Sequence, residues 1–301
     1  MKKVVVTGAT SMIGVALIRE CLKNGCSVLA LVREGTRRMT RLPVSDLLRV
    51  ETVSLSALNS VKGDGGPYDT FYHLAWDYTI RSERDVPRLC QRNIPWSLDA
   101  VDLAKRLGCS RFIGAGSQAE YGPVSGIISE ETKPEPVIAY GMAKLAACML
   151  TRRQCEQYGM HHIWARAFSV YGVNDNSGTM INDTLDRLDR GETVHFTSGT
   201  QIWNYLHESD AGRLYYLLGA LPVEDGLYCI AHPESIPLKE YIETLCEEYG
   251  GARCTFDPSD CGHAGLEVDM GKTLKATGFV PQVTFREGIR EILKARAEAR
   301  S

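Results

Sequence analysis

The chain has 301 residues, 44% of them hydrophobic and 24% charged, with a formal net charge of -3 at pH 7. That size and composition suit a globular protein with a substantial core, formed as one large domain or two modest ones. Basic residues are scattered among acids, which argues against nucleic acid or an anionic membrane as the partner.

No apolar run approaches the ~20 residues of a membrane span, and the N-terminal MKKVVVTG has no signal-peptide core. The ten cysteines show neither a C-x-x-C pair nor a zinc spacing. No metal site is expected, and the thiols read as reduced and buried in a cytoplasmic protein.

In chain order, KVVVTG predicts a buried strand, IGVALIRECLKNG a helix ending at Gly25, and SVLALVR a second strand. TFYHLAW is a later strand, introduced by the turn residues GDGGPYD. NIPWSLDAVDLAKRLG follows as a helix, SRFIGAGS as a strand, AYGMAKLAACMLTRRQCEQYG as a long helix and HHIWARAFSVYG as a further strand. This alternation predicts an α/β fold, a Rossmann-type doubly wound parallel sheet over residues 1–172. The rhythm then breaks. Residues 173–301 read as a smaller, irregular α/β substrate lobe packed on the first unit, with the ligand cleft between them.

VTGATSMIG, Val6 to Gly14, stands between the first strand and the first helix. A helix N-terminus offers free N–H groups and partial positive charge to a phosphate. Gly8 suits the tight turn and Gly14 the close packing of helix on strand, while Ser11 stands where a middle glycine is usual. NAD-preferring folds end the second strand in a carboxylate; here Val32 and Arg33 stand there. A guanidinium welcomes a ribose 2′-phosphate, so NADP(H) is favoured over NAD(H), with Arg33 as the clamp and Arg37 or Arg38 as a second contact.

Tyr140 and Lys144 lie four apart on a predicted helix and so point the same way. An ammonium beside a phenol favours the phenolate, and in reduction the phenol gives its proton to a carbonyl oxygen. Ser117, at the carboxyl end of a strand, can hydrogen-bond that oxygen.

These stretches together resemble the extended short-chain dehydrogenase/reductases, specifically the nucleotide-sugar epimerase/dehydratase group, nearly end to end. VTGATSMIG resembles T-G-x-x-G-x-x-G, FYHLAW the H-L-A-A strand end, GSQAEYG S-S-x-x-V-Y-G, and YGMAK Y-x-x-x-K. ARAFSVYG resembles R-P-x-N-V-Y-G, and GTQIWNYLHESDAG resembles G-x-x-R-D-F-I-H-V-D-D-x-A. The resemblance implies Ser117, Tyr140 and Lys144 as catalytic residues. It implies cofactor contacts at Gly8, Thr10, Ser11, Met12, Ile13, Gly14, Arg33, Leu74, Ala75, Asn93, Tyr140 and Lys144, with Asn93 distorting its helix to hold a proton relay. It implies a nucleotide-linked sugar substrate and a homodimer formed through the helices around 93–107 and 140–158.

The departures narrow the chemistry. Members that eliminate water carry an Asp-Glu pair after the catalytic hydroxyl; here Gln118 and Ala119 can neither donate nor abstract the required protons. Glu120 is shifted by one residue and is expected on the other face. Hydride transfer alone remains, as ketone reduction or as 4-epimerisation with retained cofactor; a non-catalytic NADP-binding regulator is the third reading.

On the substrate side, Trp203 replaces the arginine that grips the diphosphate, and Ser169 replaces an asparagine. Trp203 reads equally as packing or as a stacking surface, and Arg187 or Arg213 is offered as the substitute cation. Trp76, Ser117, Gln118, Ser169 and Trp203 are the substrate-side candidates, with Tyr78 and Arg81 in a nearby loop. His207 is expected to make a structural hydrogen bond, and His161 and His162 to cap a strand or face solvent.

Overall fold

The computed structural model describes residues 1–63, 65–80, 82–251, 254–260 and 265–300. Arg81, a candidate substrate contact, lies outside the described residues. The first half runs β1 (Lys3–Thr7), α1 (Met12–Lys23), β2 (Ser27–Val32), β3 (Leu48–Thr52), β4 (Thr70–His73), α2 (Pro87–Cys90), α3 (Asn93–Arg106), β5 (Arg111–Ser117), α4 (Ala139–Tyr158) and β6 (His161–Ala167). Next come β7 (Ser169–Tyr171), α5 (Met180–Asp189), β8 (Val194–Phe196), β9 (Ile202–Trp203), β10 (Tyr205–His207), α6 (Glu208–Ala220) and β11 (Gly226–Ile230). The chain closes with β12 (Ile236–Pro237), α7 (Leu238–Glu248), β13 (Cys254–Phe256), α8 (Gly271–Thr277) and α9 (Phe285–Glu298).

Seven strands form one sheet in the order β11-β6-β5-β4-β1-β2-β3, and every pairing is parallel. The order reverses between β1 and β4, and the crevice at the carboxyl ends of those two strands is where such sheets bind ligands. The inner strands are buried on both faces, so their residues divide by the two-residue period: in β1, Val4 and Val6 enter one core and Val5 the other.

α1 and α6 cover the first face, so closely that a Cβ on Gly212 would stand 2.5 Å from the Ala16 carbonyl carbon. α3 and α4 pack together on the opposite face. β11 and α6 come from beyond residue 172 yet belong to this sheet and its cover, so the sheet and the second lobe interleave along the chain. A separate hydrophobic cluster, including Ile181, Leu185, Val194, Ile242 and Ile289, forms from the elements after β6.

Two expectations are corrected by packing. Cys246 and Cys254 are joined by a disulfide with Cα atoms 6.8 Å apart, because α7 lies against β13 and brings the thiols within bridging reach. The other described cysteines are free and buried. His162 neither caps nor faces solvent: it is buried in β6, stacked between Phe112 and Trp164 and 3.0 Å from the Thr151 hydroxyl. His161 is exposed beside Asp225.

Candidate active site

The β1–α1 turn is built for close approach to β4. Gly8 has φ +67°, and a Cβ there would meet the Leu74–Ala75 peptide at 2.7 Å. At Gly14 a Cβ would stand 2.3 Å from the Gly8 carbonyl oxygen. Ser11, with φ -73°, caps α1 by accepting the Gly14 N–H at 3.1 Å, which leaves its hydroxyl proton free to donate. Thr10, Ser11, Met12 and Ile13 are half-buried at the helix mouth. A diphosphate fits this cradle, since α1 presents its N-terminus and no bulky side chain stands at Gly8 or Gly14.

Thr7 and His73, register partners on β1 and β4, are joined side chain to side chain at 3.0 Å. The Thr7 hydroxyl also accepts the Ala75 N–H. Asn93 is buried at the start of α3. Its Oδ1 accepts the Asp77 N–H at 2.8 Å, and its Nδ2 donates to the Asp77 and Cys90 carbonyls. Its amide is thereby spent on bracing the segment after β4, at the break between α2 and α3.

At the end of β2, Arg33 is mostly exposed and lies 3.7 Å from Asp77, across the crevice. Arg38 instead donates to Asn176 in the second lobe, while Arg37 is exposed.

β5 ends at Ser117, and a short helical turn, Gln118–Glu120, follows. Tyr140 opens α4, which is pressed on that turn: a Cβ on Gly141 would lie 2.2 Å from the Ala119 carbonyl oxygen. Only glycine lets Tyr140 approach Ser117 so closely, and the two hydroxyl side chains interact.

Burial pushes the Tyr140 phenol above its ordinary range, Arg84 and Ser117 pull it back, and Glu120 adds to the rise. Lys144 is buried beneath Tyr140, its Nζ 2.6 Å from the Ala115 carbonyl oxygen, 3.9 Å from the Trp76 ring centroid and 5.9 Å from that of Tyr140. Burial lowers its pKa to about 7, against a smaller raising effect of Glu120. Trp76 meets Tyr140 edge to face at 6.1 Å. The Trp76 Nε1 and the Gln118 Oε1 are enclosed without a hydrogen-bond partner, so a donor beside Tyr140 and an acceptor beside Ser117 are still to be satisfied.

Glu120 has a role the sequence reading did not assign. It is fully buried. Its Oε1 accepts the Ser117 N–H at 2.8 Å and the Trp164 Nε1–H at 3.0 Å, while Arg166 Nε donates to Oε2 at 2.8 Å. A Cβ on Gly116 would collide with the Trp164 indole nitrogen and the Glu120 carboxylate. The signal was present: S-x-x-E is the capping-box spacing, and Ser117 and Glu120 form that box.

The remaining candidates separate. Ser169 stands half-buried at the start of β7, paired with Tyr205 of β10. Trp203 packs against the main core, its Nε1 enclosed without a partner. Of the two proposed substitute cations, Arg187 pairs with Glu192, and Arg213 pairs with Asp210 over the Phe279 ring. Tyr78 stacks on Trp96 and accepts from Arg92. His207 caps α6, accepting the Ser209 N–H, as expected of a structural residue.

A seven-stranded parallel sheet that brings a serine, a tyrosine and a lysine to the edge of its ligand crevice defines an extended short-chain dehydrogenase/reductase, an enzyme class. The chain belongs to the NAD dependent epimerase/dehydratase family, whose sequence profile matches residues 4–229. It is similar to the CDP-abequose synthase of Salmonella muenchen, 22% identical over 98% of each chain. It is also similar to a dTDP-4-dehydro-6-deoxy-D-allose reductase of Streptomyces bikiniensis, 24% identical over 96% of this chain and 94% of that one. Its fold matches the UDP-glucuronic acid 4-epimerase of Bacillus cereus in complex with NAD, at a TM-score of 0.83 and 18% identity over 97% and 96% of the two chains. Among the described residues no helix is long and apolar enough to cross a membrane, and no cluster of metal-ligating side chains occurs.

Proposed function

We propose that this enzyme reduces a keto group on a nucleotide-linked deoxysugar, with NADPH as the hydride donor, Tyr140 as the acid and the Ser117 hydroxyl orienting the carbonyl oxygen. The observation that carries this reading is the meeting of Ser117 and Tyr140 where no second acid or base stands at 118 or 119. Glu120, the nearest carboxylate in sequence, is turned inward and neutralised by Arg166. Elimination of water needs a further proton donor and acceptor at the reacting carbons; reduction needs only one proton and one hydride.

When bound, the nicotinamide cofactor supplies the hydride. Tyr140 hands its proton to the substrate oxygen, Ser117 donates a hydrogen bond to the same atom, and Lys144 holds positive charge beneath the phenol. The names of the two relatives, a synthase and a reductase of nucleotide-activated deoxysugars, support the same substrate class. Arg33 at the end of β2, with no carboxylate at Val32, supports NADP(H) over NAD(H). Met142, Met149 and Leu150 form an exposed apolar stripe on α4, which supports a homodimer through that helix.

Native mass spectrometry, followed by NADPH oxidation with a panel of 4-keto sugar nucleotides, tests the reading. We expect an empty dimer that consumes NADPH stoichiometrically with ketone, and loses about 10²- to 10⁴-fold in rate as Tyr140→Phe. A protein that purifies with cofactor and interconverts epimers without consuming NADPH would be the epimerase instead. Turnover unchanged by Tyr140→Phe would remove the assigned acid.

A further inference from the structure

Tyr140 is touched by a second cation. The Arg84 guanidinium carbon stands 4.5 Å from the centroid of the Tyr140 ring, nearer than the Lys144 Nζ. The main chain holds it there. The Arg84 carbonyl accepts the Tyr140 N–H at 2.9 Å and the Cys90 thiol at 3.5 Å. Beside it, Asp85 Oδ1 accepts the Ala139 N–H at 2.9 Å. That bond caps an α4 N-terminus whose own N-cap, Ile138, has no side chain able to do so. The loop and the first turn of α4 are therefore tied as one piece. The Arg84 side chain is half-buried and has no ion-pair partner among the described residues.

We propose that Arg84 is a positioning residue for the reaction assigned above, on which this inference rests: its guanidinium, laid on the Tyr140 ring, holds the phenol against Ser117 and stabilises the charge left on its oxygen as the proton departs. The proton moves from the Tyr140 Oη to the substrate oxygen. The electron pair of the broken O–H bond stays on the phenolate, which a cation over the ring attracts more strongly than it attracts the neutral phenol.

The charged and titratable groups facing Tyr140 are Arg84 from the loop, Cys90 from α2, Glu120 from the turn after β5, Lys144 from α4 itself and Tyr215 from α6. Glu120 opposes the phenolate and Cys90 gives it no positive charge. Lys144 is engaged with the Ala115 carbonyl and the Trp76 ring. Arg84 brings a delocalised guanidinium to the face of the ring.

The test uses the full chain in wild-type, Arg84→Gln, Arg84→Lys and Tyr140→Phe forms, with two readouts. Nitration by tetranitromethane at pH 8 consumes phenolate, and peptide mass spectrometry reads its rate at Tyr140, with Tyr140→Phe as the blank. We expect Arg84→Gln to slow this nitration about tenfold, one pKa unit of phenolate fraction, and Arg84→Lys to stay within about threefold of wild type. In NADPH-dependent ketone reduction, Arg84→Gln is expected to lower kcat about tenfold with KM unchanged, and to move the alkaline limb of the pH profile upward.

Nitration of Arg84→Gln at or above the wild-type rate would overturn the proposal. So would a rise in KM with kcat and the pH profile unchanged, which would make Arg84 a contact for an anionic group of the substrate. If wild type itself reduces no ketone, the reductase reading fails while the nitration arm still decides whether Arg84 governs the phenol.

Discussion

Glu120 receives the main-chain N–H of Ser117 at 2.8 Å while its other oxygen is held by Arg166, so a fully buried ion pair fixes the backbone of the serine that faces Tyr140. Removing one partner of such a pair leaves the other charged and uncompensated, at a cost of about 3–5 kcal/mol. Glu120→Ala is expected to lose stability on that scale, and Glu120→Ala combined with Arg166→Met to recover much of it. Urea unfolding of the three proteins checks this. A single variant as stable as wild type would show that the pair does not brace the serine.

Lys144 gives a pH signature. Burial lowers its pKa to about 7, whereas an unfolded chain holds a lysine proton up to about pH 10.4. Between those values the unfolded state binds more protons than the folded one, so this site's contribution to stability rises with pH. Below about pH 7 the buried charge is carried in full and its cost is greatest. Lys144→Met should therefore compare best with wild type at pH 6 and lose that advantage toward pH 9. A stability difference identical at both pH values would contradict the buried-ammonium picture.

Arg33 is largely solvent-exposed, and its nearest acid, Asp77, is 3.7 Å away, a separation at which an exposed pair contributes little. Its guanidinium is therefore free to turn to a ribose phosphate at small cost. Arg33→Ala is expected to weaken NADPH binding by about tenfold or more, the scale of a lost charge-assisted hydrogen bond, and to leave NADH binding nearly unchanged. Calorimetric titration with each nucleotide separates the two; equal losses for both would remove the 2′-phosphate role.

Gly141 offers a steric test of the Ser117–Tyr140 meeting. In Gly141→Ala the new methyl would stand 2.2 Å from the Ala119 carbonyl oxygen, so α4 must shift away from the turn. Overpacking of this kind costs about 1–3 kcal/mol. We expect kcat to fall with it, because Tyr140 moves with α4. A variant with normal kcat would mean that the contact does not set the catalytic geometry.

The exposed stripe on α4 predicts the assembly. Leu150→Glu places a charge among Met142, Met149 and their neighbours, and light scattering should then report a monomer with its melting temperature little changed. A dimer that survives the substitution would place the interface elsewhere.

Local chemistry decided what was legible in the chain. Val4–Val6, Gly8, Ser11 and Gly14 spelled strand, turn and helix because a β-branched run, a left-handed glycine and a hydroxyl cap act over a few residues. The i, i+4 spacing put Tyr140 and Lys144 on one side of α4 by helix geometry alone.

Relationships between distant segments were not legible. β11 joins the sheet beside β6 from beyond residue 172, and Cys246 meets Cys254 only because α7 folds onto β13. Glu120 turns inward because Gly116 leaves room for its carboxylate and Arg166, 46 positions on, arrives to neutralise it. Arg84 reaches the Tyr140 ring across 56 residues because Asp85 caps a helix that has no cap of its own. The sequence by itself determined which reactive groups exist and which side of each element they occupy. The tertiary structure alone decided which charges stand beside them, because burial and Coulomb interactions depend on distance in space.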